Sequence, residues 1–338
     1  MNLQIFATPC IRIDSGSGIP ILASISAAAE AKAQLHDVFG DNGALLQQFS
    51  TFTRVSDVEV AHWVGLMRDS ARAAAISFDK TTVLDIGSGG GISVFALLRL
   101  CENGVVYASD LCVPLLSDLK RKYEGLSPRP AVALSIVQTS AENLVFESNS
   151  FDIVTGGNIL HHAYSPVRML SEVRRVLKPG GHAFFWEPCE NGSQILCLVM
   201  ALLTEMSKSN KDDPIREEAR TIFAQYRDFV ARVKGRDHSE DFLSSADDKW
   251  MFSRSQICEA AVGASLSVVD IANIYGPKNI LEDMIKMELR RHGYNTALPE
   301  WAVKEVRRIE SSMSPDFLCE NPFSCRIVLR AASGVQAH

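Results

Sequence analysis

Val-Leu-Asp-Ile-Gly-Ser-Gly-Gly-Gly-Ile, residues 83–92, decides how the rest of the chain is read. A short apolar run closes on an acid, Asp85, and breaks into glycines at 87, 89, 90 and 91, which predicts a buried strand, a tight loop and a helix over 93–101. Bare backbone in such a loop lets a ligand come close, and the helix N-terminus behind it presents unpaired N–H groups. The dinucleotide fingerprint needs glycine at the first, third and sixth loop positions, and counting from Gly87 the sixth is Ile92. A nicotinamide-dependent oxidoreductase is thereby disfavoured. The pattern that survives is Asp-x-Gly-x-Gly-x-Gly on Asp85, Gly87, Gly89 and Gly91.

Working outward, residues 105–110 read as a second buried strand ending in Asp110, 19 residues past Gly91, the distance that a helix and a return turn require. A carboxylate there can accept from both hydroxyls of a ribose, and it is equally suited to start the helix over 113–123. A third strand, 131–137, runs into Ser140, Ala141 and Glu142. A fourth, 151–157, opens into Gly157, Asn158 and the triplet Leu160-His161-His162. A helix over 166–177 then passes through Lys178-Pro179-Gly180-Gly181, a turn that stops the helix and reverses the chain, into a fifth strand over 182–187 that closes on Glu187.

This ordered set resembles the motifs of Rossmann-like, class I S-adenosylmethionine-dependent methyltransferases of the small-molecule, ubiquinone-biosynthesis type. The resemblance covers about a third of the chain, residues 83–188. It implies S-adenosyl-L-methionine as cofactor, with the glycine loop (Gly87, Ser88, Gly89, Gly91) on its methionine end and Asp85 as an anchor near its ammonium. It implies Asp110 and Leu111 at the ribose, Ser140, Ala141 and Glu142 at the adenine, and Gly157 and Asn158 beside the fourth strand. Family members commonly carry Asp where Ser140 stands, and a hydroxyl accepts a hydrogen bond more weakly than a carboxylate. For the proton of a hydroxyl acceptor, the resemblance implies His161 or His162, with Glu187 to orient it or share the load; His182 opens its strand at the far end of the sheet and is set aside. The Asn/Asp-Pro-Pro-aromatic signature of base methylation is replaced by Gly156-Gly157-Asn158-Ile159, and no cluster of acids with an Asn suggests metal-assisted catechol methylation. The expected reaction is methyl transfer to an oxygen or nitrogen of a small molecule, such as a secondary metabolite. The rival expectation, motivated by Ser140 and a large helical insertion, is a protein that binds the cofactor without transferring methyl.

The predicted fold is α/β, a doubly wound, mostly parallel seven-stranded sheet with its last strand antiparallel at the sheet's end. Residues 1–78 read as a mainly helical cap, 79–190 as the cofactor-binding core, 191–248 as a helical insertion after the fifth strand, and 249–338 as the remainder of the sheet with its helices. In the cap, a hairpin over 10–14 and 19–22 precedes helices over 24–39, 44–49 and 58–76, the last opened by a Ser56/Glu59 capping box. Trp63 and Met67 on that helix read first as core residues, with the substrate cleft as the alternative. The insertion holds an apolar helix over 194–206 and an amphipathic one starting at Asp213-Pro214; it reads as a lid or as the surface of a homodimer. A second capping box, Ser253/Gln256, starts the next helix, and a sixth strand over 266–271, helices over 279–292 and 299–311 and a strand over 323–331 complete the chain before a disordered tail from 333.

Composition excludes rather than identifies. The 338 residues are 46% apolar and 22% charged with a net charge of −6, poorly suited to tracking a phosphate backbone, so nucleic acid is not expected as a partner. The eight cysteines are scattered, with no Cys-x-x-Cys and no His at metal-ligand spacing, so no metal is expected. No signal peptide and no apolar run long enough to span a bilayer are read, and a reducing cytoplasm fits this cysteine usage.

Overall fold

The computed structural model describes residues 5–14, 18–24, 55–233, 238–275 and 279–333. The helices expected over 24–39 and 44–49, and the tail from 334 onward, lie outside these, except that Ser24 follows a strand.

Two short strands, β1 (Ile11–Arg12) and β2 (Ile21–Ala23), form the foreseen hairpin. Helix α1 (Asp57–Ala74) starts on its capping box, the Glu59 N–H donating to Ser56 Oγ at 3.2 Å and the Ser56 N–H to Glu59 Oε2 at 3.1 Å. The core then alternates: β3 (Thr82–Ile86), α2 (Ile92–Leu100), β4 (Val105–Asp110), α3 (Val113–Glu124), β5 (Ala133–Gln138) and β6 (Phe151–Gly157). A single 3-10 turn (Leu160–His162) leads to α4 (Pro166–Val176) and β7 (Leu177–Pro188). The insertion comprises α5 (Glu190–Ser209), α6 (Glu217–Val233) and α7 (Glu240–Ser245). After it come α8 (Arg254–Gly263), β8 (Leu266–Asn273), α9 (Ile280–Arg291), α10 (Glu300–Ser311), α11 (Pro315–Glu320) and β9 (Ser324–Ala331).

Among the described residues the sheet has nine strands, in the order β1-β2-β5-β4-β3-β6-β7-β9-β8. From β2 to β7 every pairing is parallel, while β9 runs antiparallel to both β7 and β8. Two expectations are corrected. The N-terminal hairpin adds two strands to the expected seven, because apolar β2 is wholly buried alongside β5, with Ile21 opposite Ile136. The last strand does not end the sheet but lies between β7 and β8. Cys325, Ile327, Val328 and Leu329 are all buried, so both faces of β9 are covered, whereas in β8 only Leu266 and Ile271 are buried, as an edge strand allows.

Helices cover both faces of the sheet, α1, α2 and α3 packing over one cluster and α4 and α8 over the other. The insertion has a core of its own. Leu196, Val199, Met200 and Leu203 of α5 meet Ala219, Ile222 and Phe223 of α6, and both close on Ile280, Leu281 and Ile285 of α9. The apolar stripe predicted for α6 is the face buried there, but the helix starts at Glu217, not at Asp213-Pro214. The backbone of Ile215 instead donates to Ser207 Oγ at 2.8 Å, tying the connection to the end of α5 before α6 begins.

Candidate active site

Four strand ends and one face of α1 enclose a cavity of about 770 Å³ at the carboxyl edge of the sheet, where open α/β folds take their ligands. Its floor is the glycine loop after β3. Gly87, Gly89 and Gly91 all have positive φ, at 65°, 48° and 95°, conformations that a side chain would strain. Gly87, Ser88 and Gly89 line the cavity, and nothing lies within 4 Å of where a Cβ on Gly89 would sit. Gly91 does not line it; it caps α2, in a space where a Cβ would meet Leu119 at 2.3 Å.

Asp85 lies beneath the loop, 1% exposed and not among the cavity-lining residues, so the position near a ligand's ammonium that the resemblance implied is corrected to a supporting one. Its carboxylate accepts from the hydroxyls of Ser88 at 2.8 Å, Ser93 at 2.7 Å and Thr155 at 2.7 Å. Burial pushes its pKa up to about 6, against the pull of these three donors. The acid thus pins the loop, the first turn of α2 and the middle of β6 to one another.

Asp110 and Leu111, at the end of β4, do line the cavity. Asp110 accepts from the Gly89 N–H at 2.9 Å and the Cys112 N–H at 2.8 Å, joining the glycine loop to the start of α3. Burial raises its pKa, and these backbone donors oppose the rise. Ser140, Ala141 and Glu142 form the adjoining wall. Ser140 Oγ accepts from the Glu142 N–H at 3.3 Å, and Glu142 Oε1 takes the Tyr164 N–H at 2.6 Å. Gly157 and Asn158 complete the rim; a Cβ at Gly157 would stand 2.1 Å from the Trp63 indole, which in turn meets Trp186 edge-on at 5.2 Å.

The two histidines have different surroundings. His161 is 6% exposed and stays out of the cavity wall, its Nδ1 2.6 Å from Glu187 Oε2 and its Nε2 3.1 Å from Asp248 Oδ1. Burial alone would lower its pKa, but the two flanking carboxylates raise it to about 10, making it an imidazolium. Burial would likewise raise Asp248, yet His161 holds it down at about 2. Glu187, fully buried, also accepts from the backbone N–H groups of Ile159 at 3.0 Å and Leu160 at 2.8 Å, so it shapes the loop and does not reach the cavity. His162 lines the cavity. Its Nδ1 lies 2.9 Å from the Asp247 carbonyl oxygen, and its ring meets that of His161 at 4.0 Å between centroids, the planes tilted by 41°. His161, His162 and Asp248 thereby bring three metal-capable donors within 4.8 Å of one another, although the proton of the His161 imidazolium occupies the contact with Asp248.

Residues 84–185 match the family described as a methyltransferase domain. Over these residues the chain is similar to class I S-adenosylmethionine-dependent methyltransferases. A 2-phytyl-1,4-naphtoquinone methyltransferase from Nostoc punctiforme is 32% identical over 142 residues, which is 40% of this chain and 61% of that protein. A ubiquinone biosynthesis O-methyltransferase from Roseobacter denitrificans is 31% identical over 114 residues, 33% of this chain and 43% of that one. Among solved structures, the (4+2)-cyclase SpnF superposes with a TM-score of 0.49 at 17% identity, over 94% of this chain and 100% of that chain. The chain thus spans about three fifths or less of the quinone-methyltransferase relatives named here. The cavity fits S-adenosylmethionine on its own features: open backbone at Gly89, a carboxylate at Asp110, and room beyond them.

Several cavity residues were not legible as such. Trp63 lines the cavity while Met67, four residues on, is fully buried in the core, so the two expectations for α1 divide between them. Val58, Glu59 and His62 of α1, Tyr164, Asp247 and Lys249 also face it. The Lys249 ammonium sits 4.8 Å from the centre of the Tyr164 ring and donates to the Ala246 carbonyl at 2.6 Å, and burial lowers its pKa. The charged run Asp247-Asp248-Lys249 before Trp250 was its one signal in sequence.

Proposed function

We propose that this protein transfers a methyl group from S-adenosyl-L-methionine to an oxygen or nitrogen of a small, partly apolar acceptor, a hydroxyl being the acceptor that His162 suits best. The observation that carries the reading is the meeting in one cavity of the glycine loop, Asp110, Ser140 to Glu142 and His162. When bound, the cofactor supplies an electrophilic methyl on a sulfonium that is already a good leaving group. The chain's own work is then to align the acceptor, keep water out and take up a proton. Asp110 holds the sugar hydroxyls, and the loop over Gly87 to Gly89 lets the amino-acid end rest on backbone. Trp63, Ile159 and Met169 give the acceptor apolar walls, and His162 accepts its proton. A secondary metabolite of phenolic or quinol type is in keeping with the quinone acceptors for which the relatives are named. Free cysteines throughout the described residues support a reducing cytoplasm as its compartment. No helix of the described residues is long and apolar enough to cross a membrane.

The test is calorimetric titration with S-adenosylmethionine, followed by detection of S-adenosylhomocysteine across a panel of phenols, quinols and amines. His162→Gln should keep cofactor affinity and lose turnover. Absence of cofactor binding would remove the reading altogether, whereas binding without any product formation would favour a non-methylating role.

A further inference from the structure

The segment that leaves the insertion, residues 246–250, is strapped across the mouth of the histidine turn. His161's carbonyl takes the N–H groups of Lys249 at 2.9 Å and Trp250 at 3.1 Å, and the Trp250 indole N–H donates to the Ala163 carbonyl at 2.7 Å. Three oxygens of this strap face His162 Nδ1: the Asp247 carbonyl at 2.9 Å, Asp247 Oδ1 at 3.4 Å and Asp248 Oδ1 at 3.7 Å. A carbonyl or an ionised carboxylate can only accept, so Nδ1 carries the hydrogen, and in the neutral ring Nε2 then holds the lone pair. That tautomer is the one a base working through Nε2 requires. Asp248 also fixes the neighbouring ring, since its Oδ1 stands 3.1 Å from His161 Nε2 while Glu187 holds the opposite nitrogen at 2.6 Å.

We propose that Asp248, with the backbone of Asp247, is the positioning element for His162: the strap carried by the insertion sets the tautomer of the base and clamps the ring packed against it. This rests on the methyl-transfer reading above. It assigns the insertion a part in the reaction, because the base is competent only while residues 246–250 are docked. Asp248 itself does not line the cavity and acts through the two histidines.

The experiment uses the full chain labelled with 15N in its imidazoles and loaded with S-adenosylhomocysteine, in wild type, Asp248→Asn and Asp248→Ala. The wild-type spectrum should show His162 as the Nδ1–H tautomer and His161 doubly protonated. By cutting the 3.1 Å tie between the strap and His161 Nε2, Asp248→Ala should loosen the Asp247 carbonyl's hold on His162 Nδ1, bring the Nε2–H form of His162 into view and lower kcat at least tenfold, a part of the 10²–10⁴ that a positioned base contributes. Affinity for S-adenosylmethionine should stay within about twofold, because Asp248 is outside the cofactor's walls. Asp248→Asn, whose carbonyl oxygen still accepts, should recover most of the wild-type tautomer, and its thermal melt controls for folding. An Nε2–H tautomer in the wild type, or an unchanged His162 spectrum and kcat in Asp248→Ala, would overturn the proposal. Failure of S-adenosylmethionine to bind the wild type would instead strike the methyl-transfer reading, so the two failures are distinguishable.

Discussion

Replacing Asp110 by Ala tests the cofactor site at the residue on which it turns. The carboxylate offers about four lone-pair directions. Two are used by the N–H groups of Gly89 and Cys112, at 2.9 and 2.8 Å, and the Leu111 N–H is also turned toward it. One or two directions remain for ribose hydroxyls. A hydrogen bond to a charged group contributes about 1.5–3 kcal/mol, so losing one should weaken binding by about 2 kcal/mol, roughly thirtyfold in Kd. The change also strips an acceptor from the Gly89 N–H, which loosens the loop and acts in the same direction. Titration calorimetry with S-adenosylmethionine measures the effect, and a thermal melt of the unliganded variant shows whether the loop survives. A Kd within twofold of wild type, with the melt unchanged, would refute the reasoning and with it the placement of the sugar at Asp110.

Other expectations follow from the same geometry. The His161 imidazolium has a folded pKa of about 10 against 6.5 unfolded, so its contribution is complete below about pH 6.5 and is lost as the pH rises toward 10. The unfolding free energy from urea titrations should therefore fall between pH 6.5 and 9.5 by an amount on the order of several kcal/mol, and His161→Gln should flatten that slope; an equal slope in the variant would contradict the assignment. Gly157→Ala sets a Cβ 2.1 Å from the Trp63 indole and should cost about 1–3 kcal/mol by overpacking while distorting the acceptor side of the cavity, readable as a lower melting temperature. Asp85→Ala removes the carboxylate acceptor of Ser93 and Thr155, while Ser88 Oγ keeps the backbone carbonyl of residue 85 at 3.0 Å, and should cost about 1–3 kcal/mol in chemical denaturation, with weakened cofactor binding although the residue is outside the cavity. Unchanged cofactor affinity in a destabilised Asp85→Ala protein would show that the loop holds its shape without this anchor.

Local pattern carried the reading of the core a long way. The strand, loop and helix around residues 83–92, the acid ending β4, both capping boxes and the amphipathic face of α6 are contacts between near neighbours in sequence, where periodicity and capping chemistry decide the outcome. The same locality limited it at the site. The resemblance left His161 and His162 open as the base, with Glu187 to orient it or share the load, and only packing separates them. His162 faces the cavity, whereas His161 and Glu187 turn inward into a buried ion pair.

By itself, then, the sequence determined which segments of the core become strands and helices, where the glycine loop stands, and that an acid follows it at the next strand's end. Only the tertiary structure decided that β9 enters between β7 and β8, that Asp85 supports the loop from below, and that Asp247 and Asp248 reach a histidine turn more than eighty residues away. The physical reason is that hydrogen-bonding and burial patterns within an element repeat every two or three to four residues and so leave a mark in the chain. Contacts between distant elements depend on how whole faces pack, and a pair such as Asp248 and His161 leaves no period to read.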